Sequence, residues 1–331
     1  MRERIMNNPK SNLKSYNIVF FGSALFAERS FAALLGSRHN ILAVVTQPDR
    51  AKGRGKKVEF SNLKQMALDN ELLVMQPSSA KETEFLDQLE SLGADLFVTA
   101  SYGNFLPQRL LDMPPMGTVN VHGSLLPDLR GAAPIQWSII RGYKETGVST
   151  MLTDIGMDSG DVLLTCNREI SDAATYGQLY ELLADDGAEL LLKTLDAMAE
   201  GTLAPIKQDP SLVTYAPMIL KQDAGIDFNM SAQDVVNKVR GMNPSPVTYA
   251  YYDNNRLKVW EAKTYAGDVP NMVPGSVFAG EGKGLYVVCG QGAVELTVIQ
   301  GDGGKAMNAQ DYLRGHAIPE GTLLRPNMEN N

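Results

Sequence analysis

Asn120 and His122, separated by one valine in Gly117-Thr118-Val119-Asn120-Val121-His122, set an amide beside an imidazole. Residues two apart on an extended strand point to the same face, so the pair presents hydrogen-bonding groups side by side. Both polar positions fall just before Gly123-Ser124-Leu125-Leu126-Pro127, where the chain leaves a sheet. Polar side chains at a strand's carboxyl end suit a crevice better than a core. The chain has three histidines, His39, His122 and His316, and only His122 has a polar companion at this spacing. His122 is therefore the first candidate for catalysis.

A carboxylate brought to His122 would hold its tautomer. Gly156-Met157-Asp158-Ser159-Gly160-Asp161 places Asp158 between glycines, a pattern that also describes an ordinary turn; Asp154 and Asp161 are rivals that the sequence leaves open. Downstream of the triplet, Arg130-Gly131-Ala132-Ala133-Pro134-Ile135-Gln136-Trp137 reads equally as a loop entering a helix or as small residues making room for a planar molecule. Lys52-Gly53-Arg54-Gly55-Lys56-Lys57 is a cationic, glycine-rich loop without Walker spacing. It is either a solvated loop or a basic finger that meets phosphates, with Arg54, Lys56 and Lys57 as its charges. Gly22-Ser23-Ala24 lacks the G-x-G-x-x-G spacing and reads as a tight strand-to-helix turn. No His, Cys and carboxylate cluster has metal-ligand spacing, and Ser124 lacks the G-x-S-x-G surroundings of a hydrolase nucleophile.

These groups need a scaffold, and the first half supplies a β-α-β-α rhythm. Apolar runs at Asn17–Phe21, Ile41–Thr46, Leu72–Val74 and Asp95–Ala100 alternate with helical patterns, one of them near Thr83–Leu92, and the triplet strand is followed by a helix near Pro134–Ile140. This predicts an α/β, Rossmann-like domain with a mostly parallel sheet. A long helix is expected over Thr175–Met198, and Thr202–Asp223, with Pro205, Pro210 and Pro217, reads as a linker. Beyond a helix near Ala232–Val239, short runs at Leu257–Trp260, Gly275–Phe278, Leu285–Val288 and Val294–Val298 suggest a small β-barrel or sandwich. The domain limits so read are a flexible leader at 1–14, a catalytic domain at 15–203, a linker at 204–223 and a C-terminal barrel at 224–331.

Composition agrees with an ordered globular chain: 331 residues, 44% hydrophobic and 21% charged. A net charge of -8 argues against a protein that coats nucleic acid indiscriminately. The amino end lacks the apolar core of a secretory signal, no apolar run is long enough to span a bilayer, and Cys166 and Cys289 have no redox spacing. A cytoplasmic protein with reduced thiols and no membrane partner is the expectation, and nothing in the sequence demands more than a monomer.

The combination of Ser101-Tyr102-Gly103, Asn120 through Pro127, Arg130 through Ile135 and Gly156 through Asp161 resembles the folate-dependent formyltransferases, in particular those that act on methionyl-tRNA. The likeness runs from about Tyr16 to Leu324 and takes in Gly304-Lys305-Ala306-Met307-Asn308-Ala309-Gln310-Asp311. It implies that Asn120, His122 and Asp158 are catalytic, and that Ser124, Leu125, Leu126 and Pro127 line the folate. It further implies that 10-formyltetrahydrofolate is the formyl donor with no metal, that the loop around Arg54 reaches the acceptor end of initiator methionyl-tRNA, and that the C-terminal module is an OB-like barrel touching tRNA. An acceptor such as an amino-sugar nucleotide or another small amine is the alternative. Asp128-Leu129 departs from the basic or aromatic pair usual before Arg130. The cations Lys238, Arg240, Arg256, Lys258, Lys263, Lys283, Lys305 and Arg314 of the barrel are matched by acids, so phosphate binding would require them on one face.

Overall fold

The strand Ile18–Phe21 is fully buried, apolar on both sides, and lies in the interior of a sheet as such a run must. The structure, a computed structural model, describes residues 13–49, 51–52, 57–58, 60–253 and 255–328. The leader up to residue 12, Arg54 and Lys56 lie outside the described residues, as does the side chain of Lys57.

The chain divides into two compact units. The first runs to Ala132 and takes in Gly147–Arg168 and Glu181–Tyr215; the second is Ala133–Thr146, Glu169–Tyr180 and the chain from Ala216. Up to the first long helix the elements are β1 (Asn17–Gly22), α1 (Ala24–Leu35), β2 (Asn40–Val45), β3 (Ala51–Lys52), β4 (Lys57–Val58), α2 (Asn62–Asp69), β5 (Leu73–Met75), α3 (Thr83–Ser91), β6 (Leu96–Ala100), α4 (Gln108–Leu111), β7 (Thr118–His122), α5 (Pro134–Ile140), β8 (Glu145–Leu152), β9 (Val162–Glu169) and α6 (Tyr176–Glu200). A seven-stranded sheet has the order β5-β2-β1-β6-β7-β8-β9. Strands β5, β2, β1, β6 and β7 are parallel, and β8 turns antiparallel against β7. The mostly parallel, Rossmann-like sheet is thus present, with an edge the strand pattern did not reveal.

Strand order reverses between β1 and β6, and in such a sheet the crevice opens beyond the carboxyl ends flanking that point. Gly22 ends β1 there. A Cβ on it would stand 2.6 Å from the Ala27 Cβ and 3.1 Å from the Ala100 carbonyl oxygen, so the glycine serves close packing of turn against strand. Phe21, Phe97, Phe85, Leu86, Leu89 and Leu110 fill one face of the sheet.

The second unit carries α7 (Ala232–Gly241), β10 (Thr248–Tyr252), β11 (Asn255–Tyr265), β12 (Val277–Phe278), β13 (Leu285–Val288), β14 (Ala293–Gly301), β15 (Met307–Asn308) and α8 (Ala309–Gly315). The strands form one antiparallel sheet, β10-β11-β14-β13-β12, with β15 on β14. Val235 and Val239 of α7 pack on Leu257, Val259, Leu285, Val287, Leu296 and Ile299. Ser231 caps α7 by accepting the Asp234 amide N–H at 3.1 Å. Strand β11 extends past the expected Leu257–Trp260 because its later residues alternate with exposed polar ones, which hides a strand from an apolar count.

His39 links this fold to pH. Its Nδ1 accepts the Tyr16 amide N–H at 3.1 Å and its ring stacks on Tyr16, at 5.4 Å between centroids. Burial first, and the neighbouring Arg38 second, hold its pKa down from 6.5 to about 4, with Asp196 opposing. A histidine whose folded pKa is depressed contributes stability that is whole above the unfolded value and lost as pH falls through the folded one. Stability should therefore drop between pH 6.5 and about 4, with His39 responsible for about 1–3 kcal/mol. His39→Gln keeps an acceptor for Tyr16 without a titrating proton, and urea unfolding across that range should show a flatter acid limb. An unchanged slope would remove His39 as its source.

Candidate active site

Strand β7 sets Asn120 opposite Met151 and His122 opposite Ser149 of β8. On the other side Asn120 lies in register with Thr99 of β6, and the buried Thr99 hydroxyl donates to Asn120 Oδ1 at 2.8 Å. The amide oxygen is thereby occupied, while Nδ2 donates to no described residue. A half-buried amide N–H held this way is a ready donor for a substrate oxygen.

His122 is only 6% exposed, so its two nitrogens face defined partners. Its Nε2 lies 3.1 Å from the Leu129 carbonyl oxygen. A carbonyl can only accept, so Nε2 carries a proton there and Nδ1 is the nitrogen left for chemistry. Nδ1 stands 3.7 Å from Asp158 Oδ2. Of the three candidate carboxylates, then, it is Asp158 that meets the imidazole. Asp154 is instead engaged in its own turn, its Oδ1 accepting from Gly156 N–H at 3.0 Å and the Ser159 hydroxyl at 2.6 Å.

Asp158 sits at a φ of +48°, in the left-handed region that L residues seldom adopt. Its Oδ2 accepts the Gly131 amide N–H at 2.8 Å, and Gln208 Nε2 donates to the Asp158 and Gly160 carbonyls at 2.8 and 2.7 Å. Gln208 Oε1 in turn accepts from Arg130 Nε and Nη2 at 3.0 and 2.7 Å. Arg130 is thus tied into the loop network.

The segment Ser124–Pro127 leaves β7 as a pinned loop. Ser149 accepts the Leu126 amide N–H at 3.0 Å and donates to the Ser124 carbonyl at 2.7 Å, while the Ser124 hydroxyl donates to the Asp128 carbonyl at 2.6 Å. Leu126 packs on Met151 and Val162, and the Leu126–Pro127 peptide is cis. The unusual pair Asp128-Leu129 has a local reason. Thr214 donates its hydroxyl to Asp128 Oδ1 and accepts the Leu129 amide N–H at 2.9 Å, with Leu129 itself buried. Thr99, Gln208 and Thr214 carry no signal in the sequence, and Leu129 stands out there only as part of an unusual pair; Gln208 and Thr214 lie in the stretch read as linker.

Among the C-terminal cations, several are already engaged. Lys238 donates to the Gly225 carbonyl at 2.6 Å and burial lowers its pKa; Arg240 donates to the Ser171 and Ala174 carbonyls. Arg256 pairs with Asp302, Lys263 with Glu295 and Arg314 with Asp311. Lys258, Lys283 and Lys305 carry no ion pair among the described residues. Among those residues no group of His, Cys, Asp and Glu could hold a metal, and no helix is long and apolar enough to cross a membrane.

Comparison with known proteins decides the lineage. Residues 16–195 match the family described as Formyl transferase, and residues 218–317 match Formyl transferase, C-terminal domain. The chain belongs to the formyl transferase family. Within it, the chain is 47% identical over 307 residues to methionyl-tRNA formyltransferase of Acetivibrio thermocellus, covering 93% of this chain and 99% of that protein. It is 44% identical to methionyl-tRNA formyltransferase of Ruminiclostridium cellulolyticum over 310 residues, with the same coverage. A solved formyl transferase relative, the N-formyltransferase of Helicobacter canadensis in complex with folinic acid and dTDP-3-aminofucose, shares the fold at a TM-score of 0.64. Its sequence identity is 16%, over 85% of this chain and 98% of that one.

Proposed function

We propose that this chain transfers the formyl group of 10-formyltetrahydrofolate to the α-amine of methionyl initiator tRNA, in the compartment where translation begins. The observation that carries the chemistry is the meeting of His122 with Asp158 beside the oriented amide of Asn120, at the carboxyl edge of the sheet. The acceptor assignment is supported by relatives of that name at 47% and 44% identity across nearly their whole length.

The residues fit a folate donor. An amide N–H without a protein acceptor among the described residues, and an imidazole nitrogen facing a carboxylate, are the donor set for a reacting carbonyl. Ser124, Leu125, Leu126 and Pro127 would hold the donor, which supplies a formyl carbon activated on nitrogen. Asn120 Nδ2 donates to the formyl oxygen as negative charge develops there, with Thr99 keeping Oδ1 turned away. His122 Nδ1 carries or takes the proton that must pass from the amine toward the departing nitrogen, and Asp158 supports the charged imidazole. An α-amine is partly neutral near pH 7, so a strong base is unnecessary.

The basic loop bearing Arg54, Lys56 and Lys57 is assigned to the tRNA acceptor end. Arg54→Ala should raise KM for methionyl-tRNA about tenfold, a loss near 1.4 kcal/mol for one phosphate contact, while KM for the folate stays put. Equal tRNA kinetics in variant and parent would make the loop ordinary solvated surface. The decisive assay offers the purified chain 10-formyltetrahydrofolate with charged initiator tRNA, uncharged tRNA or an amino-sugar nucleotide. Formyl transfer to methionyl-tRNA is expected; transfer confined to the sugar nucleotide would overturn the acceptor assignment.

A further inference from the structure

We propose that Gln208 is a positioning residue for the reaction, clamping the Asp158 loop so that its carboxylate faces His122. This rests on the reading of Asp158 and His122 as a working pair. Gln208 is half-buried within 204–212, where every other residue is exposed, and that contrast marks a side chain with a task.

The amide orientation follows from its partners. Arg130 presents only donors, and the carbonyls of Asp158 and Gly160 only accept. Oε1 must therefore face the guanidinium and Nε2 the two carbonyls, because a flip would set donors against donors and acceptors against acceptors. The backbone beneath is tied too: Ile206 exchanges both hydrogen bonds with Val162, each at 2.8 Å. The clamped loop has no slack on its far side, since a Cβ on Gly160 would stand 1.7 Å from the Leu152 carbonyl oxygen. Between those constraints Asp158 is held in its left-handed conformation, with Oδ2 shared between Gly131 N–H and the approach to His122 Nδ1. An L residue without such ties is drawn out of that conformation by the clash of its Cβ with the following carbonyl oxygen. Gln208 opposes that escape with both hydrogens of one nitrogen.

Gln208→Glu tests the clamp. The variant keeps an oxygen for Arg130 and replaces the donor with an acceptor aimed at two carbonyls; Gln208→Ala removes both. For each, kcat should fall about ten- to a hundredfold, as misplacement of a reacting group near 1 Å does, with both KM values within about twofold of the parent. The three histidines allow a second readout by ¹⁵N NMR. The His122 ring-nitrogen signals, assigned with His122→Gln, should move toward those seen in Asp158→Asn while those of His39 and His316 stay fixed. Parent kcat with unmoved His122 signals would overturn the proposal, and so would movement of all three histidines, the mark of a general strut. If Asp158→Asn itself turns over normally, the pair reading fails and the clamp with it; an inactive Asp158→Asn beside a fully active Gln208→Glu sinks the clamp alone.

Discussion

Asn120→Ala should lower kcat about a hundred- to thousandfold, the cost of removing one pre-organised oxyanion donor, or about 3–4 kcal/mol. The side chain is small and half-buried at the end of β7, and its only described partner is the Thr99 hydroxyl, so the deletion leaves the strand's backbone ladder intact. The loss should fall on turnover, because the donor acts most strongly on charge that exists only at the transition state. KM for the folate should change less than about threefold, since the residues assigned to hold it lie further along, at Ser124–Pro127. Steady-state kinetics in both substrates, with a folate-binding titration, decide it. Near-normal turnover would take Asn120 out of the mechanism, and equal losses in binding and turnover would make it a residue of ground-state recognition.

The sequence displayed the parts of this site that lie close together in the chain. Asn120 and His122 share a strand, and strand geometry alone puts them on one face. The polar positions at a strand end also pointed to a crevice, and the reversal of strand order beside β6 is where a sheet of this kind opens one. What could not be seen was any relation bridging long loops. Asp154, Asp158 and Asp161 are chemically alike in a linear string; only the fold of the turn commits Asp154 to Gly156 and Ser159 and turns Asp158 to the ring.

The partners that orient the site were hidden for a different reason. Gln208 and Thr214 lie in a prolyl stretch with no periodicity, where composition speaks only of irregular backbone. Their role depends on side-chain hydrogen bonds to residues 48 to 86 positions away in the chain. The antiparallel strand β8 escaped because Thr146 to Thr150 mixes small and polar residues that are nonetheless buried, a pattern driven by close packing and not by hydrophobicity. Gly147 shows it: a Cβ there would stand 2.1 Å from the Cys166 carbonyl oxygen. The C-terminal sheet was easier, since its apolar runs at Leu285–Val288 and Val294–Val298 coincide with strands. Its cations illustrate the reverse limit. Charge can be counted from sequence, but Lys263 is paired across strands with Glu295 and Arg256 with Asp302 just past β14, which leaves fewer charges for a phosphate than the count suggested.

Asp158→Asn separates charge from geometry, and its expected effect is the other large one. An asparagine can present its Oδ1 to the Gly131 amide N–H as Asp158 Oδ2 does at 2.8 Å, so the loop and its Gln208 contacts can persist. What disappears is the negative charge 3.7 Å from His122 Nδ1. With Nε2–H given to the Leu129 carbonyl, a protonated Nδ1 makes the ring cationic, and among the described residues it is the Asp158 carboxylate that offsets that charge where His122 is nearly excluded from water. Proton transfer by a positioned side chain contributes about a hundred- to ten-thousandfold, and kcat should fall within that range. The unfolding midpoint in urea should shift little, because the hydrogen bonds of the loop survive. Activity within about threefold of the parent would show that the carboxylate's charge is not used, and would transfer the proton's path to groups other than this pair.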